Sequence, residues 1–170
     1  FDEPKLRWLS GEYIRAMSAE EFKAVALPFL QKSKAYGRYD EDKLLKMLQS
    51  RVDVLEDIPS KVDFLEEYGE IDPALYFNKK MKSDAEIAKA VLPKAADVFK
   101  NLDKFENAEL YAALVALAQE QGMKNGQVLW CVRIALTGKE NTPGGASEMA
   151  ELLGRERSLE RLAHAMSLLA

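Results

Sequence analysis

One cysteine, Cys131, and one histidine, His164, are all that the 170-residue chain holds of these two residue types. A lone cysteine excludes an internal disulfide and any cysteine-based metal cage, and a lone histidine leaves zinc sites and Ser-His or Cys-His catalytic pairs without their parts. Cys131 reads as a small buried apolar residue. His164, beside Leu162, Ala163 and Ala165 late in an amphipathic pattern, reads as structural or solvated. No apolar run approaches the length of a bilayer span, and Asp2, Glu3 and Pro4 do not give the basic-then-apolar order of a signal sequence, so the cytoplasm is the expected location and no membrane partner is expected. There is no glycine-rich loop ending in Lys-Ser or Lys-Thr, no His-Glu-x-x-His and no Gly-x-Ser-x-Gly. The paired carboxylates Glu20–Glu21 and Glu66–Glu67 sit among lysines and read as solvated surface. No catalytic residue and no metal ligand is assigned, and self-contained catalysis is not expected.

What is present is the balance of a globular protein, 48% apolar and 31% charged residues. The formal net charge of −4 argues against a coat for nucleic acid, which depends on neutralising many phosphates, but is compatible with a selective RNA reader. Basic residues occur in local groups: Lys5, Arg7 and Arg15; Lys32, Lys34 and Arg38; Lys79, Lys80 and Lys82; Arg155, Arg157 and Arg161. Each group alone reads as a solvated face.

Helical signals dominate. Ser18 with Glu21 forms a capping-box pattern before Phe22, Val25, Ala26 and Phe29, whose spacing marks one buried face. Asp40 opens a second helix with Leu44, Leu45, Leu48 and Val52 on one side, and Pro59 precedes a third containing Val62, Phe64, Leu65 and Tyr68. A Pro-, Asn- and Lys-containing stretch from Ile71 to Lys82 follows, and Ser83 with Glu86 repeats the capping pattern. Further helices are predicted over Asp84–Phe99, with a kink at Pro93, Asn107–Gln121, Gly126–Leu136, Pro143–Leu153 and Arg155–Leu169. Neither strand alternation nor a fixed-period repeat is visible. The chain is predicted to be all-α, two small helical bundles in tandem, with a boundary near residue 80.

The stretch from Val132 to Gly145 is the most informative. Arg133 lies inside the apolar run Val132, Ile134, Ala135 and Leu136, where a charge needs a partner or a ligand. The turn after it carries Gly138, Thr142, Pro143, Gly144 and Gly145. Two readings stay open: Thr142 caps a helix with Pro143 in its first turn, or the turn offers backbone N–H groups to an anion or an extended ligand.

Phe1, Asp2, Lys5, Leu6, Trp8, Gly11, Tyr13 and Ile14 resemble the segment that follows the catalytic core in bacterial glutamyl-tRNA synthetases. The Arg-Ile-Ala-Leu-Thr-Gly and Thr-Pro-Gly elements resemble that family's anticodon-binding end, Gly122–Val128 resembles the loop before the arginine, and Leu153–Leu162 resembles a run near the family's C-terminus. The resemblance spans essentially the whole chain. It implies the tRNA-binding part of a class I synthetase that activates glutamate with ATP. The Rossmann-type catalytic domain would lie N-terminal to this chain, which itself carries no cofactor; ATP and magnesium are implied for the absent domain. Phe1 is not a methionine, in keeping with a piece of something larger. Lys80, Met81, Lys82 and Ser83 match the family's Lys-Met-Ser-Lys signature only in composition, with no nucleotide-binding sheet before them.

By the same resemblance, residues 1–16 finish a region that contacts the tRNA stem, with Lys5, Trp8 and Arg15 in contact or packing roles. Residues 17–80 and 81–170 would be two helical anticodon-binding domains. Arg51 aligns with an arginine that reads the third anticodon base, its alternative being a surface residue paired with Asp53 or Glu56. Arg133 aligns with a second anticodon-contacting arginine, and Thr142, Pro143 and Gly144 with the loop against the first anticodon bases. The chain departs from the family at Ser10, where Asn is usual, and at Gly145 and Ala146, where a bulky apolar pair is common. Trp130 is a candidate for base stacking or for packing. The implied partners are glutamate tRNA, with glutamine tRNA second, and the catalytic domain of the same monomeric protein. The competing reading is a non-catalytic helical scaffold that binds protein partners.

Overall fold

The structure, a computed structural model, describes residues 3–170 apart from the side chains of residues 8 and 9. As predicted, it is all-α: among the described residues the only β pairing is one isolated antiparallel bridge, Asn78 with Ser83. The chain divides into two compact units after Glu67.

The first unit contains α1 (Glu3–Ala16), α2 (Ala19–Leu30), α3 (Glu41–Arg51) and the short α4 (Ile58–Val62), with 3-10 turns at Leu55–Asp57 and Asp63–Glu66. Both predicted caps are formed: Ser18 Oγ accepts from Glu21 N at 3.1 Å while Glu21 Oε1 accepts from Ser18 N, and Asp40 Oδ1 accepts from Lys43 N at 2.9 Å. The buried face of α2 runs through Phe22, Ala26 and Leu30, leaving Val25 38% exposed, because a strict four-residue spacing turns residue 25 to the flank. Leu44, Leu48, Ile58, Val62 and Leu65 complete this core. The single helix predicted after Pro59 is instead α4 followed by the second 3-10 turn. Val62 at φ −125° leaves the helical region, and the tighter turn buries the adjacent Phe64 and Leu65 together. Helix α1 carries no strong periodic signal; its last turn is closed from outside by Gln49, whose Nε2 donates to Ile14 O and Met17 O.

The second unit contains a 3-10 turn (Pro73–Tyr76), α5 (Ala85–Asn101), α6 (Asn107–Glu120), α7 (Asn125–Thr137), α8 (Ala146–Leu153) and α9 (Arg155–Leu169). Helix α7 is its centre: Val128, Cys131, Val132, Ile134, Ala135 and Leu136 are all buried, and α7 packs on α5, α6, α8 and α9. Helix α5 continues past Pro93 to Asn101.

Residues 68–80 belong with this second unit, so the compact units part earlier than the sequence boundary near residue 80. The reason is specific. Tyr68 Oη lies 2.7 Å from Ala135 O and 3.0 Å from Arg161 O, His164 Nε2 lies 3.0 Å from Gly69 O, and Trp130 Nε1 donates to Leu75 O at 3.1 Å.

Two helix starts are corrected. Asp84, not Ser83, caps α5, its Oδ1 accepting from Ile87 N at 2.8 Å, while Ser83 is buried with Oγ 3.2 Å from Cys131 Sγ. Helix α8 begins at Ala146, not Pro143, so Thr142 is not its cap.

Candidate nucleic-acid interface

Arg133 sits two thirds of the way along α7, one turn after Trp130. Trp130 is 9% exposed and anchored through its indole N–H to Leu75 O, which makes it a packing residue. The Arg133 guanidinium lies over its ring, 5.0 Å from the centroid, so the indole holds the charged head in place. Partial exposure answers the sequence problem of a charge in an apolar run: the stem of Arg133 packs in α7 while its head opens onto a cleft.

That cleft, of about 270 Å³, is lined by Met81, Tyr111, Leu129, Trp130 and Arg133 on one hand and by Gly145 to Glu148 on the other. Tyr111 is 48% exposed and offers a ring at its edge. Glu148 adds carboxylate acceptor capacity to a lining that also holds the guanidinium donors, and such a lining can match the mixed donor and acceptor edge of a base. The small Gly145 and Ala146 form part of this wall.

The turn between α7 and α8 is built mostly from its own bonds. Gly138 ends α7 in the left-handed conformation, φ 68°, donating to Ile134 O at 2.7 Å. Thr137 Oγ1 donates to Arg133 O at 2.7 Å and accepts from Lys139 N at 3.1 Å. Thr142 Oγ1 donates to Gly144 O at 2.5 Å, and Gly145 N donates to Glu148 Oε1 at 3.2 Å. Pro143 and Gly144 are buried. The turn is therefore closed largely on itself and meets the cleft lining at Gly145, whose N–H is already satisfied by Glu148.

In the first unit, Arg51 is the exposed last residue of α3, where a cation suits the negative end of the helix dipole. Arg15 is engaged in ion pairs with Glu12 at 3.3 Å and Asp53 at 3.4 Å, and Arg7 Nη2 pairs with Asp57 at 2.5 Å. Asp53, one partner considered for Arg51, thus engages Arg15. Lys5 is exposed. The Trp8 side chain lies outside the described residues.

Sequence reasoning missed Arg161 and Arg155. Arg161 is 7% exposed, donates through Nη1 to Leu136 O at 2.9 Å and stacks 4.3 Å over Tyr68. Arg155 donates to Lys100 O and Leu102 O and lies over the Phe105 ring. The group that read as a solvated face is therefore largely structural. The signal was available: Arg161 falls in register with the buried Ser158, Leu162, Ala165 and Leu169 of α9.

An all-helical two-unit chain that presents one fixed arginine at a cleft suits selective binding to an unstacked strand, and a family model described as "Anticodon binding domain" matches residues 14–166. The chain belongs to the anticodon-binding domain family. Its curated relatives include the glutamate–tRNA ligases of Clostridium tetani, 41% identical over 162 residues, and Lachnoclostridium phytofermentans, 40% identical over the same length. In each case the match covers 95% of this chain and 33% of the relative, so the chain spans about a third of the length of these relatives. A crystal structure of a glutamate tRNA ligase from Elizabethkingia meningosepticum covers the whole chain with a TM-score of 0.74 at 20% identity. The glutamate-tRNA synthetase structure from Elizabethkingia anophelis covers 98% with a TM-score of 0.69 at 22% identity. In both, the matched part is about a third of the longer chain, and the likeness is one of fold.

Proposed function

We propose that this chain reads the anticodon of glutamate tRNA as part of a glutamate–tRNA ligase. A catalytic domain elsewhere in that protein, with ATP and magnesium, would attach the amino acid. A cytoplasmic location and a monomeric state go with that reading. The observation that carries it is the Arg133 cleft: a guanidinium held over Trp130 at a partly open, largely apolar site in an anticodon-binding fold.

Bases in a tRNA loop are unstacked and present free edges, so one fixed guanidinium and a few acceptors can read them without a large basic surface. This accounts for an RNA ligand on a chain of net charge −4. Arg133 would meet a base edge at the cleft mouth, with Gly145 and Ala146 in the wall against which the base lies and the Thr142–Pro143–Gly144 turn leading into that wall. Arg51 would read the third base. Cytosine offers N3 and O2 acceptors to a guanidinium, whereas guanine offers the donors N1–H and N2–H that an obligate donor opposes. Glutamate tRNA, ending in cytosine, would then be preferred to glutamine tRNA, ending in guanine. Lys5, Trp8 and Arg15 belong to the segment assigned to stem contact or packing; Arg15, tied to Asp53, fits packing.

Fluorescence titration of the chain with glutamate tRNA, and with the same tRNA carrying guanine at the third anticodon position, tests the reading. Tighter binding of the cytosine form is expected, and Arg51→Gln should narrow the difference. Equal binding of both RNAs by the unaltered chain would end the base-reading assignment; partner-protein capture indifferent to Arg51→Ala and Arg133→Ala would favour a scaffold.

A further inference from the structure

The segment from Asn78 to Ser83, left over as a linker in sequence terms, is a tightly built turn. Asn78 and Ser83 exchange backbone hydrogen bonds at 3.0 Å each, Asn78 Oδ1 accepts from Met81 N at 3.0 Å, and the buried Ser83 hydroxyl meets Cys131 Sγ. Lys82 is the only non-glycine among the described residues with positive φ, at 58°, and Gln127 Nε2 donates to its carbonyl at 2.8 Å. This bracing points Lys79, Lys80 and Lys82 into solvent, while Met81 between them lines the Arg133 cleft and packs over Gly126.

Lys124, two residues before Gly126, stands against Lys82. The proximity is repulsive, since Lys82 holds the Lys124 ammonium below the ordinary lysine range. Of the other basic residues, Lys23, Lys34, Lys89, Arg7, Arg15 and Arg38 have carboxylate partners, while Lys46, Lys61, Lys104 and Lys139 stand singly without one among the described residues. Among the described residues, Lys79, Lys80, Lys82 and Lys124 have none. Lys79, Lys80 and Lys82 stand exposed on one braced turn, with Lys124 beside Lys82 and Met81 in the cleft wall, and an anion there would offset the repulsion between Lys82 and Lys124.

We propose that Lys79, Lys80, Lys82 and Lys124 bind phosphodiester groups of the RNA strand whose base enters the Arg133 cleft. This rests on the anticodon-reading function and adds its backbone contact. Lysine suits the role, because a compact ammonium on a flexible stem neutralises a phosphate without demanding bidentate geometry. Such contacts fix the strand's register and carry no base information. Met81 links the two parts, with a lysine on each side of it and its own side chain in the cleft wall.

The test compares the full chain with the variant Lys79→Gln, Lys80→Gln, Lys82→Asn, Lys124→Gln, where asparagine is chosen for its tolerance of the left-handed backbone. Both are titrated with glutamate tRNA and with the third-base guanine form from about 50 to 200 mM salt, with circular dichroism as the folding control. The variant should bind both RNAs about tenfold more weakly at low salt. Its slope of log affinity against log salt should be shallower by about 0.7 for each lost phosphate contact, with the ratio between the two RNAs unchanged. An unchanged slope and affinity, with the unaltered chain binding normally, would overturn the phosphate assignment and leave anticodon reading intact. A changed ratio at constant slope would also overturn it, assigning the lysines to base reading. If the unaltered chain binds neither RNA, the anticodon reading falls and this inference with it. Should the fourfold variant lose helicity, Lys80→Gln with Lys124→Gln decides by the same slope criterion, with about half the change.

Discussion

Three arginines of the C-terminal unit share one chemistry and do different work, and their surroundings separate them. Arg133 is held over an indole with its head toward a cleft; Arg161 is enclosed, with its Nη1 on a helix-end carbonyl and its plane on Tyr68; Arg155 ties α9 to the chain after α5. In sequence the first stood out because its neighbours are apolar. The other two were hidden by their charged neighbours, since a cluster of Arg and Glu at a helix start reads as surface until the partner carbonyls are known. A pair of substitutions separates the roles. Arg133→Ala should lower tRNA affinity by about 1 to 3 kcal/mol with the urea midpoint little changed, the scale of a lost charged contact. Arg161→Met should cost about 2 kcal/mol of stability by leaving the Leu136 carbonyl buried without its charged donor, with little effect on tRNA affinity per folded molecule. Loss of helicity in Arg133→Ala would make that residue structural.

Among the elements, long helices with a buried face are legible whether or not a side chain caps them, and pieces held by tertiary bonds are not. Helices α2, α3, α6, α7 and α9 lie within a residue or two of their predicted limits. Helix α1 is not legible in the sequence, its final turn being closed by Gln49 of α3, a distant residue. The sequence predicts too early a start for α8 because Thr-Pro-Gly resembles a cap followed by a first-turn proline, whereas the threonine hydroxyl bonds forward to Gly144 O and the helix begins at Ala146. The start of α5 offers a direct check on the choice between two adjacent candidates. Asp84→Ala should lower stability by about 1 kcal/mol in urea unfolding, the usual loss of a cap acceptor. Ser83→Ala should cost less, because it gives up one weak hydrogen bond to sulfur and no cap. The reverse order would restore Ser83 as the cap. Of the candidate site, the sequence carried Arg133 and its turn but not the cleft, because Met81, Tyr111 and Glu148 come together only through packing.

For the whole molecule, the buried ionisable groups of the C-terminal unit make alkaline stability a measurable property. Burial pushes the Tyr68 phenol up to about 12 from 10.0 and the Cys131 thiol up to about 11 from 9.0, and it raises Tyr76 as well. In each case the folded chain holds a proton that the unfolded chain releases first, so stability is full below about pH 9 and falls as pH rises toward about 12. The urea midpoint of the C-terminal unit should therefore drop steadily across that window; a flat profile would mean these groups are solvated in the native state. Below pH 9 the Cys131 thiol should react with a thiol reagent only as fast as the unit opens.

The bonds to Tyr68 also decide where the protein can be cut. A fragment begun near residue 81, where composition changes, would discard the phenol that two helices share, the carbonyl that receives the Trp130 indole and the fully enclosed Tyr76. Begun at residue 68, it keeps all three, and the smallest piece able to carry the Arg133 cleft is longer at its front edge than its helices suggest.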